Sequence, residues 1–360
     1  MGEDLSLAYS GLVLGLDGVG FAVVGAGVIG QIHARNISML ESCRLVAVAD
    51  QVRERAEVVG RQYGAKAYAS IDEVVKDPEV EAVVVATPSY LHAPQTLYAL
   101  QHGKHVLVEK PIATTLRGAR LISDTAKEMG LRLGVVFQER YLEAARRLME
   151  LVSDGGLGRV YLVEAELKWW RGESEYYRSD EIARSWRGYW ETEGGGVLMN
   201  QAIHTLDLVL WLGGDVEEVS GFISNASHPS IEVEDVATAA IRFRSGALGI
   251  ISATVNMRPT NRQYRKIRVL GTKGFAEIHD LSLRIWMDEG EAQVEGSGVA
   301  FGDLHRALLA DFADCVRSGR EFPVSGDEGI KSLELIKAIY LSSERGVKVS
   351  LPLRLGGVPL

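Results

Sequence analysis

The chain has 360 residues, of which 46% are hydrophobic and 24% charged, and a formal net charge of −9 at pH 7. That length exceeds what one hydrophobic core usually serves, so two domains are expected, and the acidic balance argues against a nucleic-acid partner. Two cysteines, Cys43 and Cys315, match no metal-ligand or redox spacing and fit buried positions in a reducing compartment; no metal site is expected.

Residues 1–19 hold the apolar run Leu12–Leu16 between acidic residues and lack a basic opening, so they read as a short extension and not as a secretory signal. No run reaches the roughly 20 apolar residues of a membrane span. A cytoplasmic protein without a membrane partner is the expectation.

The first strand, Phe21–Val24, runs into Gly25-Ala26-Gly27-Val28-Ile29-Gly30, and Asp50 closes a second apolar run at Leu45–Ala49. Gly25 and Gly27 let the backbone approach a pyrophosphate, and Gly30 lets the next helix pack closely on the strand. The helix beginning at Val28 and Ile29 would turn its unpaired N–H groups toward the phosphates. Asp50 can accept two ribose hydroxyls and would repel a 2′-phosphate, which favours NAD, although Arg53 and Arg55 leave NADP possible.

Further strands are expected at Ala82–Ala86, Val106–Val108 and Leu131–Phe137, alternating with helical stretches such as Val28–Leu40 and Pro94–Gly103. This alternation predicts an α/β fold with a doubly wound parallel sheet over residues 20–137. Thr87, Pro88, His92, Glu109 and Lys110 then gather at the carboxyl edge of that sheet as cofactor contacts. Lys110 lies just past a buried strand, where a proline-fixed turn can aim its amine at the cleft for proton exchange.

Over residues 138–360, a helix near Leu142–Ser153 is followed by strand-like stretches at Val160–Lys168, Val216–Ile223, Ala237–Phe243, Leu248–Val255 and Ile267–Leu270. A large, mostly antiparallel open sheet is expected, with one helix at Val197–Leu212 and two more at Leu304–Ser318 and Asp327–Arg345. On the Val197–Leu212 helix Asn200, His204 and Asp207 form a polar stripe, and a buried polar group without a partner costs about 1–3 kcal/mol, so the stripe should face a cavity or pair internally. The segment from Trp169 to Trp190 interleaves aromatics and arginines; Tyr176, Arg184 and Trp186 are its candidate substrate contacts, suited to sugar C–H faces and to carboxylate or phosphate.

The glycine turn, Thr87-Pro88, Leu91-His92, Glu109-Lys110-Pro111 and the stretch from Gly194-Gly195-Gly196 to His204 and Asp207 together resemble the glucose–fructose oxidoreductase/inositol dehydrogenase (Gfo/Idh/MocA) family over about residues 20–352. The resemblance implies NAD(P)-dependent hydride transfer to or from a secondary alcohol or ketone of a sugar, sugar acid or nucleotide sugar. It implies Lys110 as catalytic lysine and His204 as proton acceptor or substrate anchor. It also implies a homodimer or homotetramer joined through the C-terminal sheet. Inositol dehydrogenase-like members carry an aspartate where this chain has Asn200, so the amide would only orient a hydroxyl. A non-catalytic NAD(P) or sugar sensor, and a dehydrogenase of non-sugar ketones or dihydrodiols, are the alternatives. Retention of both Lys110 and His204 favours catalysis.

Overall fold

The computed structural model describes residues 18–288, 290–294, 301–355 and 358–359; the extension expected over residues 1–19 lies outside them up to residue 17. The first half alternates β1 (Val19–Val24), α1 (Val28–Ser38), β2 (Cys43–Ala49), α2 (Arg53–Tyr63), β3 (Lys66–Tyr68), α3 (Ile71–Lys76), β4 (Ala82–Val85), α4 (His92–Gln101), β5 (His105–Val108), α5 (Leu116–Glu128) and β6 (Leu133–Val135). These strands form a parallel six-stranded sheet in the order β3-β2-β1-β4-β5-β6. β1 and β4 are buried along their whole length, as expected of strands covered by helices on both faces. The short β3, half-exposed at the sheet edge, carries no apolar run and was invisible in the hydrophobic pattern.

The second half follows with α6 (Glu143–Ser153), β7 (Val160–Lys168), α7 (Glu181–Trp186), α8 (Val197–Asn200), α9 (Ile203–Gly213), β8 (Val216–Ser224), β9 (Val236–Phe243), β10 (Leu248–Thr254), β11 (Tyr264–Gly271), β12 (Gly274–His279), β13 (Ser282–Met287), β14 (Gly290–Val294), α10 (Phe301–Ser318), α11 (Gly326–Arg345) and β15 (Val349–Ser350). β7 to β15 make one nine-stranded sheet in the order β14-β13-β12-β11-β7-β10-β9-β8-β15, antiparallel except where β10 runs parallel to β7. One face packs on α9 and α11. On the other, Phe222, Leu248 and Ile250 are 70%, 48% and 49% exposed.

The single helix expected at Val197–Leu212 is two helices. The Val197 carbonyl accepts both the Gln201 N–H at 3.2 Å and the Ala202 N–H at 2.7 Å, a widened turn that ends α8 at Asn200. The last helices return to the first sheet. Val135 N–H donates to Val324 O at 2.9 Å, Phe312 packs on Phe21, and Ser123 donates to Asp327 at 2.7 Å. One continuous hydrophobic core therefore runs through both sheets.

Candidate active site

The glycine turn shows what each glycine is for. Gly25 has φ +102°, and a Cβ there would lie 2.5 Å from Ala86 O; a Cβ on Gly30 would lie 1.7 Å from Gly25 O. Both glycines are required by close packing of backbone on backbone. Gly27 differs: a Cβ there would meet nothing within 4 Å, so the space above it is open. Val28, next to it, is 82% exposed, Ile29 is half-buried, and α1 has neither a side-chain cap nor an acidic residue in its first turn. An open space over uncapped helical N–H groups fits a dinucleotide pyrophosphate.

Asp50 reaches back to this turn. Its Oδ2 accepts the Ala26 N–H at 2.8 Å and its Oδ1 the Val52 N–H at 2.9 Å, leaving further lone pairs on each oxygen for a ribose. Arg53 pairs with Glu57 at 3.2 Å.

At the ends of β4 and β5 the expected residues assemble, largely by binding one another. Both ring nitrogens of buried His92 meet carbonyls, Pro111 O at 2.7 Å and Thr87 O at 2.8 Å, so it ties the Thr87-Pro88 turn to the Lys110-Pro111 turn. Thr87 Oγ1 donates to Gln95 at 2.7 Å. Glu109 is buried and takes the His33 ring at 2.8 Å; burial alone would raise its carboxyl, but the His33 bond and the nearby His33, His305 and Lys110 charges bring it down to about 2. The Lys110-Pro111 peptide bond is cis.

Lys110 and the second domain meet directly. Lys110 Nζ donates to the main-chain oxygen of Asn200 at 2.7 Å and to its Oδ1 at 3.3 Å. Asn200 is the last residue of α8, where a helix leaves carbonyls unpaired, so the widened turn after it is what frees an acceptor for the lysine. Burial lowers the Lys110 ammonium below the usual lysine range; Glu109 and Glu193 oppose this, and Arg187 and Arg171 reinforce it. His204, nearly buried and edge-on to Phe137 at 5.8 Å, is held well below the ordinary histidine range by burial and then by the Lys110 charge. It is a neutral imidazole at neutral pH, and its buried Nδ1 has no hydrogen-bond partner.

Asp207, expected beside a substrate, spends both oxygens on Arg140, at 2.8 and 2.7 Å, and Arg140 also reaches Glu328 at 3.0 Å. Arg184 is exposed and donates to Arg178 O at 3.3 Å. Half-buried Trp186 and Tyr176 both lie under the guanidinium of Arg187, at 5.3 and 4.3 Å. Sequence reasoning missed Glu193. It is 2% exposed, accepts the Gly188 N–H at 2.6 Å, and accepts Asn200 Nδ2, which turns the Asn200 amide oxygen toward Lys110. Its place directly before three glycines was the available signal.

A Rossmann domain with open space over its glycine turn, facing a second domain across a lysine, has the layout of a two-domain dinucleotide-dependent oxidoreductase. Residues 19–137 match the oxidoreductase family with NAD-binding Rossmann fold, and residues 145–277 match the GFO/IDH/MocA C-terminal domain. The chain belongs to the GFO/IDH/MocA oxidoreductase family. Among solved structures it is similar to the WlbA dehydrogenase of Bordetella pertussis in complex with NADH and UDP-GlcNAcA, with 32% identity, a TM-score of 0.82, and coverage of 94% of this chain and 100% of that one. Among characterised relatives it is 27% identical to scyllo-inositol 2-dehydrogenase (NAD(+)) of Bacillus subtilis, over 92% of this chain and 96% of that protein. It is 28% identical to myo-inositol 2-dehydrogenase of Thermotoga maritima, over 91% and 97%. No described helix is long and apolar enough to cross a membrane.

Proposed function

We propose that this chain is an NAD-dependent dehydrogenase that interconverts a secondary alcohol and a ketone on a sugar, sugar acid or nucleotide sugar. The observation that carries the reading is that Lys110, depressed by burial and fixed on Asn200, lies within electrostatic reach of a neutral His204 whose buried Nδ1 has no hydrogen-bond partner. Bound nicotinamide supplies a hydride acceptor at its C4. Lys110 and His204 hold the substrate hydroxyl, and one of them takes its proton as the C–H bond breaks, a contribution of about 10²–10⁴-fold. Asn200 cannot relay a proton, so its part is to orient Lys110 and the hydroxyl. Gly25, Gly27, Val28, Ile29 and Gly30 would hold the pyrophosphate, Asp50 would take the adenosine ribose and favour NAD over NADP, and Thr87 and Pro88 would be further cofactor contacts.

The relatives named for NAD(+), NADH and sugar ligands support this chemistry, and the test is direct. Purified protein is mixed with NAD and a panel of sugars, uronates, inositols and UDP-sugars, and NADH absorbance is followed. Reduction with at least one panel member is expected; tight sugar binding without any reduction would assign a sensor. The outer sheet face with Phe222, Leu248 and Ile250 supports a homodimer or homotetramer, because exposed apolar clusters mark interaction surfaces. Two free, buried cysteines and the NAD requirement support a cytoplasmic setting.

A further inference from the structure

Two guanidiniums beside Lys110 are not used by the reading above. Arg187 and Arg171 approach the ring of one residue, Tyr176, with their Cζ atoms 4.3 and 5.5 Å from its centroid; Arg171 also lies 4.8 Å over Trp169. Their hydrogen bonds within the described residues go to main-chain oxygens, Arg187 to Tyr176 O at 2.9 Å and Arg171 to Trp170 O at 2.9 Å. Arg187 Nε is buried and has no partner. A stacked guanidinium is held in place by its ring while its N–H edge stays free to donate, the arrangement suited to bidentate capture of carboxylate or phosphate.

Arg171, Arg187 and Lys110 stand within electrostatic reach of one another. The carboxylates that act on Lys110 are already committed, Glu109 to His33 and Glu193 to Gly188 N–H and Asn200. Glu193 and Asp180 lie within electrostatic reach of Arg187, but among the described residues no carboxylate is hydrogen-bonded to either guanidinium, so an incoming anion would supply a direct pairing that those residues do not.

Resting on the dehydrogenase reading, we infer that Arg171 and Arg187, arrayed on Tyr176, form a subsite for an anionic group on the sugar, a carboxylate or a phosphate. The substrate class then narrows to acidic sugars, and the anion sets which ring carbon faces Lys110.

The probes are D-glucose, D-glucuronate and glucose 6-phosphate, titrated into NADH-loaded protein and followed by NADH fluorescence. At least one anionic sugar should bind about tenfold or more tightly than glucose, with a preference that shrinks as salt is added. Preference for glucuronate alone assigns a carboxylate, and preference for glucose 6-phosphate alone a phosphate. Arg171→Gln and Arg187→Gln should each bring the anionic sugar to within about twofold of glucose without changing NADH affinity, whereas Arg187→Lys, which keeps the charge, should retain part of the preference. Equal binding of all three sugars, binding of none, or a preference that survives both Gln variants overturns the subsite. Lys110→Met separates the two readings: it should keep the anion preference and lose turnover. Continued turnover in that variant would sink the catalytic role of the lysine and leave the subsite standing on its binding data.

Discussion

Lys110 Nζ is bonded to both oxygens of Asn200, 90 positions further along the chain, at 2.7 and 3.3 Å, and this pair of contacts ties the end of β5 to the end of α8. The amine is thereby fixed before any substrate arrives. In the proposed reaction, preorganisation of this kind would remove a positional search from the barrier.

Lys110→Met should lower kcat by about 10²-fold or more and leave NADH affinity within about twofold of the parent. Because burial depresses the lysine, the rise of oxidation rate with pH should fall below the ordinary lysine range. A rate that still climbs beyond that range would show that another group is the base.

Glu193→Gln tests the Asn200 orientation. The carboxylate accepts from both Gly188 and Asn200, and an amide has only one acceptor oxygen, so one donor must face another donor or Asn200 must turn over. A turned Asn200 would present N–H groups to the ammonium. A drop in kcat of about tenfold is expected, with the pH–rate limb displaced downward, since the Glu193 charge supports the protonated lysine. A merely structural carboxylate would alter melting temperature and leave the pH limb in place.

Gly27→Ala and Gly30→Ala should separate binding from folding. Alanine at Gly27 enters open space, so stability should stay within about 0.5 kcal/mol while NADH affinity falls about tenfold. Alanine at Gly30 drives a methyl into Gly25 O, so the fold itself should suffer. Calorimetric melts and NADH titrations on the two variants give the comparison.

Asp207→Ala leaves Arg140 buried without its bidentate partner and should cost about 3–5 kcal/mol in urea unfolding. Turnover per folded molecule should change little if the carboxylate serves only the pair. A large loss of kcat at unchanged stability would put Asp207 back beside the substrate.

Glu109 ionises in the folded protein at about 2, below its ordinary value of 4.5. A depressed acid contributes stability that is complete above the unfolded value and is lost as pH falls through the folded one, here between about 4.5 and 2. The shift corresponds to roughly 3 kcal/mol. The stability gap between parent and Glu109→Gln, from urea midpoints, should be full at pH 7 and narrow progressively below pH 4.5.

Much of the architecture was legible because its signals are local. Glycines at fixed offsets, apolar runs that alternate with helical spacing, and a lysine just past a strand are properties of neighbouring residues. They located β1, β2, β4 to β6 and most of the second sheet. β3 escaped because an edge strand of three half-exposed residues has no apolar run to betray it. The interruption between α8 and α9 escaped because a widened turn keeps the same side chains and changes only which carbonyl is shared.

The sequence by itself determined the glycine turn and the two-sheet fold class and offered Lys110 and His204 as candidates, since each rests on backbone requirements or residue chemistry within a short window. Only the tertiary structure decided which polar groups face the cleft. Asp207 turned inward because Arg140, 67 positions earlier, offers it two charge-assisted bonds. Glu193, Arg171 and Arg187 came within electrostatic reach of Lys110 only in the folded chain. Partner choice among buried charges depends on distances across the fold, and no periodicity in the chain records those distances.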